Sequence, residues 1–263
     1  MLVSGLYIYP VKSLGGISLV SSEVTSRGLQ YDRRWMLVDE NNNFLTQREI
    51  PRLALFQTTI ENDSIIIFDT GDGDKIKLPL SPVPAPTIPV TVWEDTCKAQ
   101  PAADEINEWF SGKLSITCKA VYMPETSERK IDPGYALNEN DVTSFSDGYP
   151  LLLIGQASLD DLNQRLEIPL PMNRFRPNIV FTGGLPFQED AMKSLKINNL
   201  QFYGVKLCGR CVVTTTDQDT AERGKEPLKT LATYRTINNK VCFGQNIIGV
   251  GTGTIRIGSV LET

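Results

Sequence analysis

The chain of 263 residues contains no histidine. Without imidazole there is no Ser-His or Cys-His nucleophile pair, no His-ligated zinc and no facial-triad iron, so chemistry must come from thiolate, carboxylate, Lys, Arg or a borrowed cofactor. Long hydrophobic runs are lacking as well. No apolar stretch approaches the roughly 20 residues that span a bilayer, and Met1-Leu2-Val3-Ser4-Gly5 has none of the parts of a secretory signal, so no membrane partner is expected and the chain reads as cytoplasmic. Runs of basic residues are absent too. With 26 Lys and Arg against 31 Asp and Glu the net charge of −5 is spread along the chain, which disfavours a nucleic-acid partner and fits an enzyme of small molecules. Cysteines are few. The five at positions 97, 118, 208, 211 and 242 form no disulfide framework, which points to a reducing compartment and at least one free thiol.

What is present is dominated by short β-branched segments: Gly5 to Pro10, Trp35 to Asp39, Ser64 to Phe68, Pro89 to Trp93, Ile116 to Tyr122, Asn178 to Thr182, Leu200 to Tyr203 and Thr254 to Ile257. Asn41-Asn42-Asn43 and Thr70 to Asp74 read as hairpin connections, and Gly249 to Gly253 as a flexible turn before the last strand. Three stretches carry helical spacing. Pro101 opens one that places Ile106, Trp109 and Phe110 on one face, Ser158 caps a second with Leu159, Leu162 and Leu166, and Pro227 opens a third with Leu228, Leu231 and Tyr234. Sparse helices among many strands predict a mainly β, barrel-type fold with peripheral helices and exclude an alternating βαβ sheet. The Pro-rich stretch Ser81 to Pro89 reads as an internal loop, and the polar stretch Pro124 to Pro133 as the boundary between two β-barrel domains, 1–123 and 124–263.

The most informative segment is Cys208-Gly209-Arg210-Cys211, followed by Val212-Val213-Thr214-Thr215-Thr216-Asp217. A zinc ribbon needs a second close pair of thiols, and an iron–sulfur cluster fails for the same reason. A thioredoxin-type dithiol needs a helix start after the pair, whereas Val212 to Thr216 are strand formers. Two half-buried structural cysteines around a tight Gly209 turn remain open as an alternative. Residues three apart on an extended chain point to opposite faces, so one thiol rather than two is the expected ligand. A single soft thiolate without histidine leaves the remaining ligands to an organic cofactor, which points to molybdenum held by a pterin dithiolene. An anionic cofactor tail needs fixed cations, and Tyr9-Pro10-Val11-Lys12-Ser13, Asp32-Arg33-Arg34-Trp35 and Arg174-Phe175-Arg176-Pro177-Asn178 supply candidates.

Taken together, the Tyr9 to Ser13 stretch, Arg176-Pro177-Asn178 and Cys208-x-x-Cys211-x-x-Thr-Thr-x-Asp217 resemble the MOSC-domain proteins that carry an N-terminal MOSC-type β-barrel. Order and spacing are most like the mitochondrial amidoxime-reducing component and its bacterial relatives, over nearly the whole chain. The resemblance implies the molybdenum cofactor (Mo-molybdopterin), with Cys211 as the protein ligand to the metal. Lys12, Ser13, Arg33, Arg176, Asn178, Gly209 and Arg210 would surround the pterin and its phosphate, and Gly148 and Tyr149 would line the same pocket through backbone amides. Pyridoxal phosphate is not expected. Asp217 reads as a turn cap before a proton carrier.

The activity implied is a molybdenum-dependent oxidoreductase that reduces N-hydroxylated small molecules, amidoximes or hydroxylamines, to amines. The chain is expected to carry neither a ferredoxin-type module nor a mitochondrial leader. Its cysteines show no ferredoxin spacing and no Gly-rich nucleotide fingerprint is present, so electrons would come from an external flavoprotein or small redox carrier. Two rivals stand beside this reading: a sulfur carrier or transferase using a Cys211 persulfide, and a cofactor-binding carrier without turnover.

Overall fold

The computed structural model describes residues 1–263, and the β-branched segments pair into four sheets. The largest has nine strands, in the order Leu261–Glu262, Ser194–Ile197, Leu200–Gly209, Lys240–Val250, Leu151–Gly155, Ile179–Thr182, Leu2–Ile8 and Ile17–Leu19, with Thr236–Ile237 paired beside Lys240–Val250. The Leu151–Gly155 and Ile179–Thr182 ladder is parallel, and helix Gln156–Asn163 lies in the crossover such a pair requires. Val3, Leu6 and Ile8 of the first strand are buried with Leu153, Ile179, Phe181 and Phe202 in one core. A second sheet orders Trp35–Val38, Lys119–Tyr122, Asp95–Pro101 and Ile88–Val92, and a third joins Phe56–Glu61, Ser64–Asp69 and Lys75–Pro79. Helix Asp104–Leu114 turns Ile106 and Phe110 onto the core that includes Phe56, Leu78 and Trp35. In the fourth sheet the central strand Ser21–Thr25 pairs with Gly253–Arg256 on one side and Gly28–Leu29 on the other, so residues from the start of the chain are woven into its C-terminal half. No helix is long and apolar enough to cross a membrane.

The mainly β architecture with few helices is the one the sequence predicts. Several local expectations are corrected. Pro101 ends strand Asp95–Pro101, and the first helix begins at Asp104 with Ala103 as its N-cap. Ser158 lies inside helix Gln156–Asn163. Its hydroxyl donates to buried Glu189 at 2.8 Å and accepts from the Phe187 amide, and it makes no cap contact. The strand after Gly249 to Gly253 is not the last, since Leu261–Glu262 follows it. Val212–Thr215 forms a 3₁₀ turn, not a strand. The Thr214 and Thr215 hydroxyls donate back to the carbonyls of Cys211 and Val212, which gives the tight turn partners that a strand would have supplied.

Trp35 fixes the start of the second sheet. It is fully buried, its indole N–H donates to the Pro79 carbonyl at 3.0 Å, and its ring lies 5.2 Å from that of Tyr122. Burial of a large side chain of this kind stabilises by roughly 1.5–3 kcal/mol. The Trp35 backbone also donates to the Pro10 carbonyl and accepts from the Lys12 amide, so the buried ring holds the loop that presents Lys12.

Candidate functional site

Where the nine-stranded sheet meets the loops after Tyr9, Phe145 and Phe175, the chain leaves a cleft of about 670 Å³. All ten residues singled out from the sequence line it: Lys12, Ser13, Arg33, Gly148, Tyr149, Arg176, Asn178, Gly209, Arg210 and Cys211. Three of them, Ser13, Arg33 and Arg176, have positive φ (70°, 49° and 53°). This left-handed backbone is costly for side chains of that size and occurs where surrounding contacts impose it.

Tyr9 is the hub of the basic wall. The guanidinium carbon of Arg176 lies 4.1 Å from its ring centroid and that of Arg33 lies 4.5 Å away. The Tyr9 hydroxyl donates to the Pro177 carbonyl at 3.2 Å, and burial pushes it up to about 12. Arg33 donates to buried Asp32 at 2.6 Å, to the Asn178 side-chain oxygen at 3.2 Å and to the Arg176 carbonyl at 3.3 Å. Asn178 is itself committed, accepting from the Leu152 amide and donating to the Tyr7 carbonyl, so it braces Arg33 and ties two strands. Arg176 has no carboxylate partner, and its Nη2 is buried without a hydrogen bond. Burial, with the Arg33 charge beside it, lowers Arg176 to about 10, against the opposing pull of Tyr9.

Lys12 is 4% exposed and donates to the Phe145 carbonyl at 2.8 Å and to Asp147 at 2.6 Å. Burial pulls its ammonium down to about 8 although Asp147 works the other way. Burial would raise the Asp147 carboxyl, but the charges of Lys12 and Arg48 outweigh it and hold the group far below the usual carboxylate range. The Asp147 side chain is 61% exposed to the open cleft, so solvent screens these attractions and their energetic worth is small. Arg210 donates through Nε to the Phe243 carbonyl at 2.8 Å and through Nη1 to the Phe175 carbonyl at 3.0 Å, while its Nη2 is buried and unpartnered. Gly244, with φ +84°, makes room for it, because a Cβ there would stand 3.0 Å from the Leu153 carbonyl and 3.3 Å from Arg210 Nη2.

Both thiols of the Cys208 to Cys211 segment border the cleft, so strand alternation does not separate them. Leu200–Gly209 ends between them and Cys211 opens the 3₁₀ turn, which removes the premise of opposite faces. Gly209 makes no tight turn: it is a strand residue paired with Cys242, and a Cβ on it would touch only the Lys240 side chain at 3.4 Å. What distinguishes the thiols is their surroundings. Cys208 packs against the apolar group of Leu152, Phe175 and Phe243, and burial raises its thiol, whereas Cys211 has the Arg48 guanidinium beside it. All five cysteines are free.

Gly148 opens to the cleft with nothing within 4 Å of a Cβ position, and Tyr149 packs edge-on to Tyr135 at 6.0 Å. Asp217 caps a turn, accepting from the amides of Asp219 and Thr220 at 3.0 Å and from Arg174 at 2.7 Å.

A profile of the MOSC N-terminal beta barrel domain matches residues 1–117 and one of the MOSC domain matches residues 140–262. Mitochondrial amidoxime-reducing component 1 of Mus musculus is 34% identical to this chain over 97% of it and 80% of that protein. The chain belongs to the MOSC family. Mitochondrial amidoxime reducing component 2 of Homo sapiens is 36% identical over 89% of the chain and 72% of that protein. The molybdenum cofactor sulfurase of Oryza sativa subsp. japonica is 32% identical over 92% of the chain, which spans 32% of that longer protein.

Among the cleft residues of this MOSC chain that motif reading missed, Arg48 and Asp147 stand out. Arg48 stacks 4.2 Å over Trp93 and pairs with Asp147 at 3.2 Å, yet it sits in an ordinary polar loop, Thr46-Gln47-Arg48-Glu49. Nothing in that stretch marks it. Asp147 lies one residue before Gly148, and only its placement between two cations reveals it.

Proposed function

We propose that this chain is a molybdenum cofactor-dependent oxidoreductase that reduces N-hydroxylated small molecules, hydroxylamines to amines or amidoximes to the corresponding amidines. The observation that carries the reading is the meeting of one cysteine, Cys211, with a wall of cations whose guanidinium nitrogens on Arg176 and Arg210 are buried and lack partners. A buried N–H without an acceptor costs about 1–3 kcal/mol, and an anionic ligand in the cleft removes that cost. The residues therefore fit a pterin with a phosphate tail and a thiolate-bound metal. Cys211 would ligate molybdenum, Lys12, Arg33, Arg176 and Arg210 would hold the anionic part, and Ser13, Asn178, Gly148, Tyr149 and Gly209 would wall the pterin.

The bound cofactor would supply the redox centre at which the N–O bond is cleaved. Overall, reduction of an amidoxime takes up two electrons and two protons, releases water and leaves the amidine. The chain's own residues bind, orient and balance charge. The cationic wall offsets the negative charge of the pterin tail, and Tyr9 keeps two of the guanidiniums stacked in place. Electrons would come from an external flavoprotein or small carrier.

The test is to express the chain where the cofactor is made, measure molybdenum per chain, and assay benzamidoxime reduction with a reduced dye. Stoichiometric metal with turnover supports the reading. Full metal loading without reduction of any N-hydroxy compound overturns it. The likeness to a molybdenum cofactor sulfurase favours a second reading, a Cys211 persulfide that delivers sulfur. Cyanide-labile sulfur on Cys211 in protein without molybdenum distinguishes that case.

A further inference from the structure

Lys206 is a cation of the cleft with no role in the assignments above. Lys206 lies on strand Leu200–Gly209 where the register slips: Gly204 faces Ile247 and Lys206 faces Asn246, leaving Val205 as an extra residue opposite no partner. Such a bulge re-aims side chains. Gly204 stays against the neighbouring backbone, where a Cβ would lie 2.0 Å from the Met192 carbonyl, while Lys206 lines the cleft with Tyr149 and Asn246.

Its ammonium is held, but not by an acid. Nζ lies 3.8 Å from the Tyr135 ring centroid and 5.7 Å from that of Tyr149, with the phenol groups of both tyrosines beside it. No carboxylate lies within salt-bridge distance, and Asp147 is already taken by Lys12 and Arg48. The side chain remains partly open to the cleft. An ordered, unpaired ammonium beside a phenol hydroxyl is a site for an oxyanion, since both groups can donate to the same oxygens.

We infer that Lys206 and Tyr149 form a substrate subsite that recognises a carboxylate or phosphate group on the N-hydroxylated molecule. The inference rests on the reductase reading, and it narrows the substrate class to N-hydroxy compounds bearing an anionic substituent. A tether to this subsite contributes binding remote from the N–O bond, which orients the reacting end.

The experiment uses molybdenum-loaded protein and a reduced dye to compare kcat/KM for benzamidoxime with those for its 3- and 4-carboxy and 4-phosphonomethyl derivatives. The wild type is expected to prefer at least one charged compound by about tenfold, a preference that fades as salt rises. Lys206→Gln should abolish the preference ratio and Lys206→Arg should keep most of it. Comparison of the carboxylates with the phosphonate identifies which oxyanion the site takes. Equal kcat/KM for all four compounds in the wild type overturns the inference, and so does an unchanged ratio in Lys206→Gln. Loss of molybdenum from Lys206→Gln overturns it too, because the lysine would then be a cofactor contact. No turnover of any of the compounds overturns the reductase reading, and this inference with it.

Discussion

Replacing Arg176 with methionine should move stability and ligand retention in opposite directions. In the free protein the Arg176 guanidinium is depressed to about 10 by burial and by the neighbouring Arg33, and one of its nitrogens has no acceptor. The gap from an ordinary 12.5 corresponds to about 3 kcal/mol disfavouring the charge, at 1.36 kcal/mol for each pKa unit. Partial opening to the cleft screens this to about 1–2 kcal/mol. Loss of the stack on Tyr9 offsets about 0.5–1 kcal/mol of the relief. The cofactor-free variant should therefore be more stable by up to about 1 kcal/mol, a rise of about 2–4 °C in Tm for a chain of this size. Loss of a charge-assisted hydrogen bond to an anion should weaken cofactor retention about ten- to a hundredfold. Calorimetry on the cofactor-free protein and pterin content after desalting measure the two arms. A fall in Tm together with full pterin content would show that Arg176 is an ordinary structural arginine and refute the reasoning.

The two thiols should separate: Cys211→Ala is expected to lose molybdenum and activity, while Cys208→Ser keeps most of both, as read by elemental analysis and dye-driven turnover. Equal loss in both variants points to a two-thiol site. Lys12 gives a pH dependence, because its buried ammonium has a pKa near 8 against 10.5 unfolded. Between those values the unfolded chain holds more protons, so the cost of burying this charge is fully present below about 8 and is relieved as pH rises through the window. An anionic ligand favours the charged form, so pterin retention should fall by several-fold between pH 7 and 9 in the wild type and stay flat in Lys12→Met. Finally, the isolated, molybdenum-loaded chain should not reduce benzamidoxime with reduced nicotinamide until a flavoprotein reductase, with or without a small carrier, is added. Strong nicotinamide-driven turnover by the chain alone contradicts that.

The parts of the site that were legible in the sequence are those with unusual neighbours. Arg176 flanks Pro177, Lys12 lies two residues after Pro10, and the cysteine pair sits in a chain without histidine. Arg48, Asp147 and Lys206 were not legible, because a lone charge in a polar loop or a strand reads as a solvated surface group and only the third dimension brings it to the cleft. Strand Lys240–Val250 escaped for a different reason. Its centre, Cys242 to Gln245, is buried at every residue and is interrupted by Gly244 and Gln245, so neither alternation nor an apolar run marks it. Val212 to Thr215 was misread because β-branched residues favour strands on average, while here two threonine hydroxyls close a tighter turn.

The place of the first strand bears on how the chain is made. Leu2–Ile8 emerges from the ribosome long before Ile179–Thr182, the strand that completes one of its edges, with Leu6 opposite Ile179. Ile17–Leu19 can cover the other edge early, but the Ile179 side stays bare until most of the chain has been translated. This long-range pairing makes the closing of the nine-stranded sheet a late event that sets the pace of maturation. For the same reason residues 124–263 produced alone would expose the Ile179–Thr182 edge and its apolar face, and would be expected to aggregate unless the strand Leu2–Ile8 is supplied in trans.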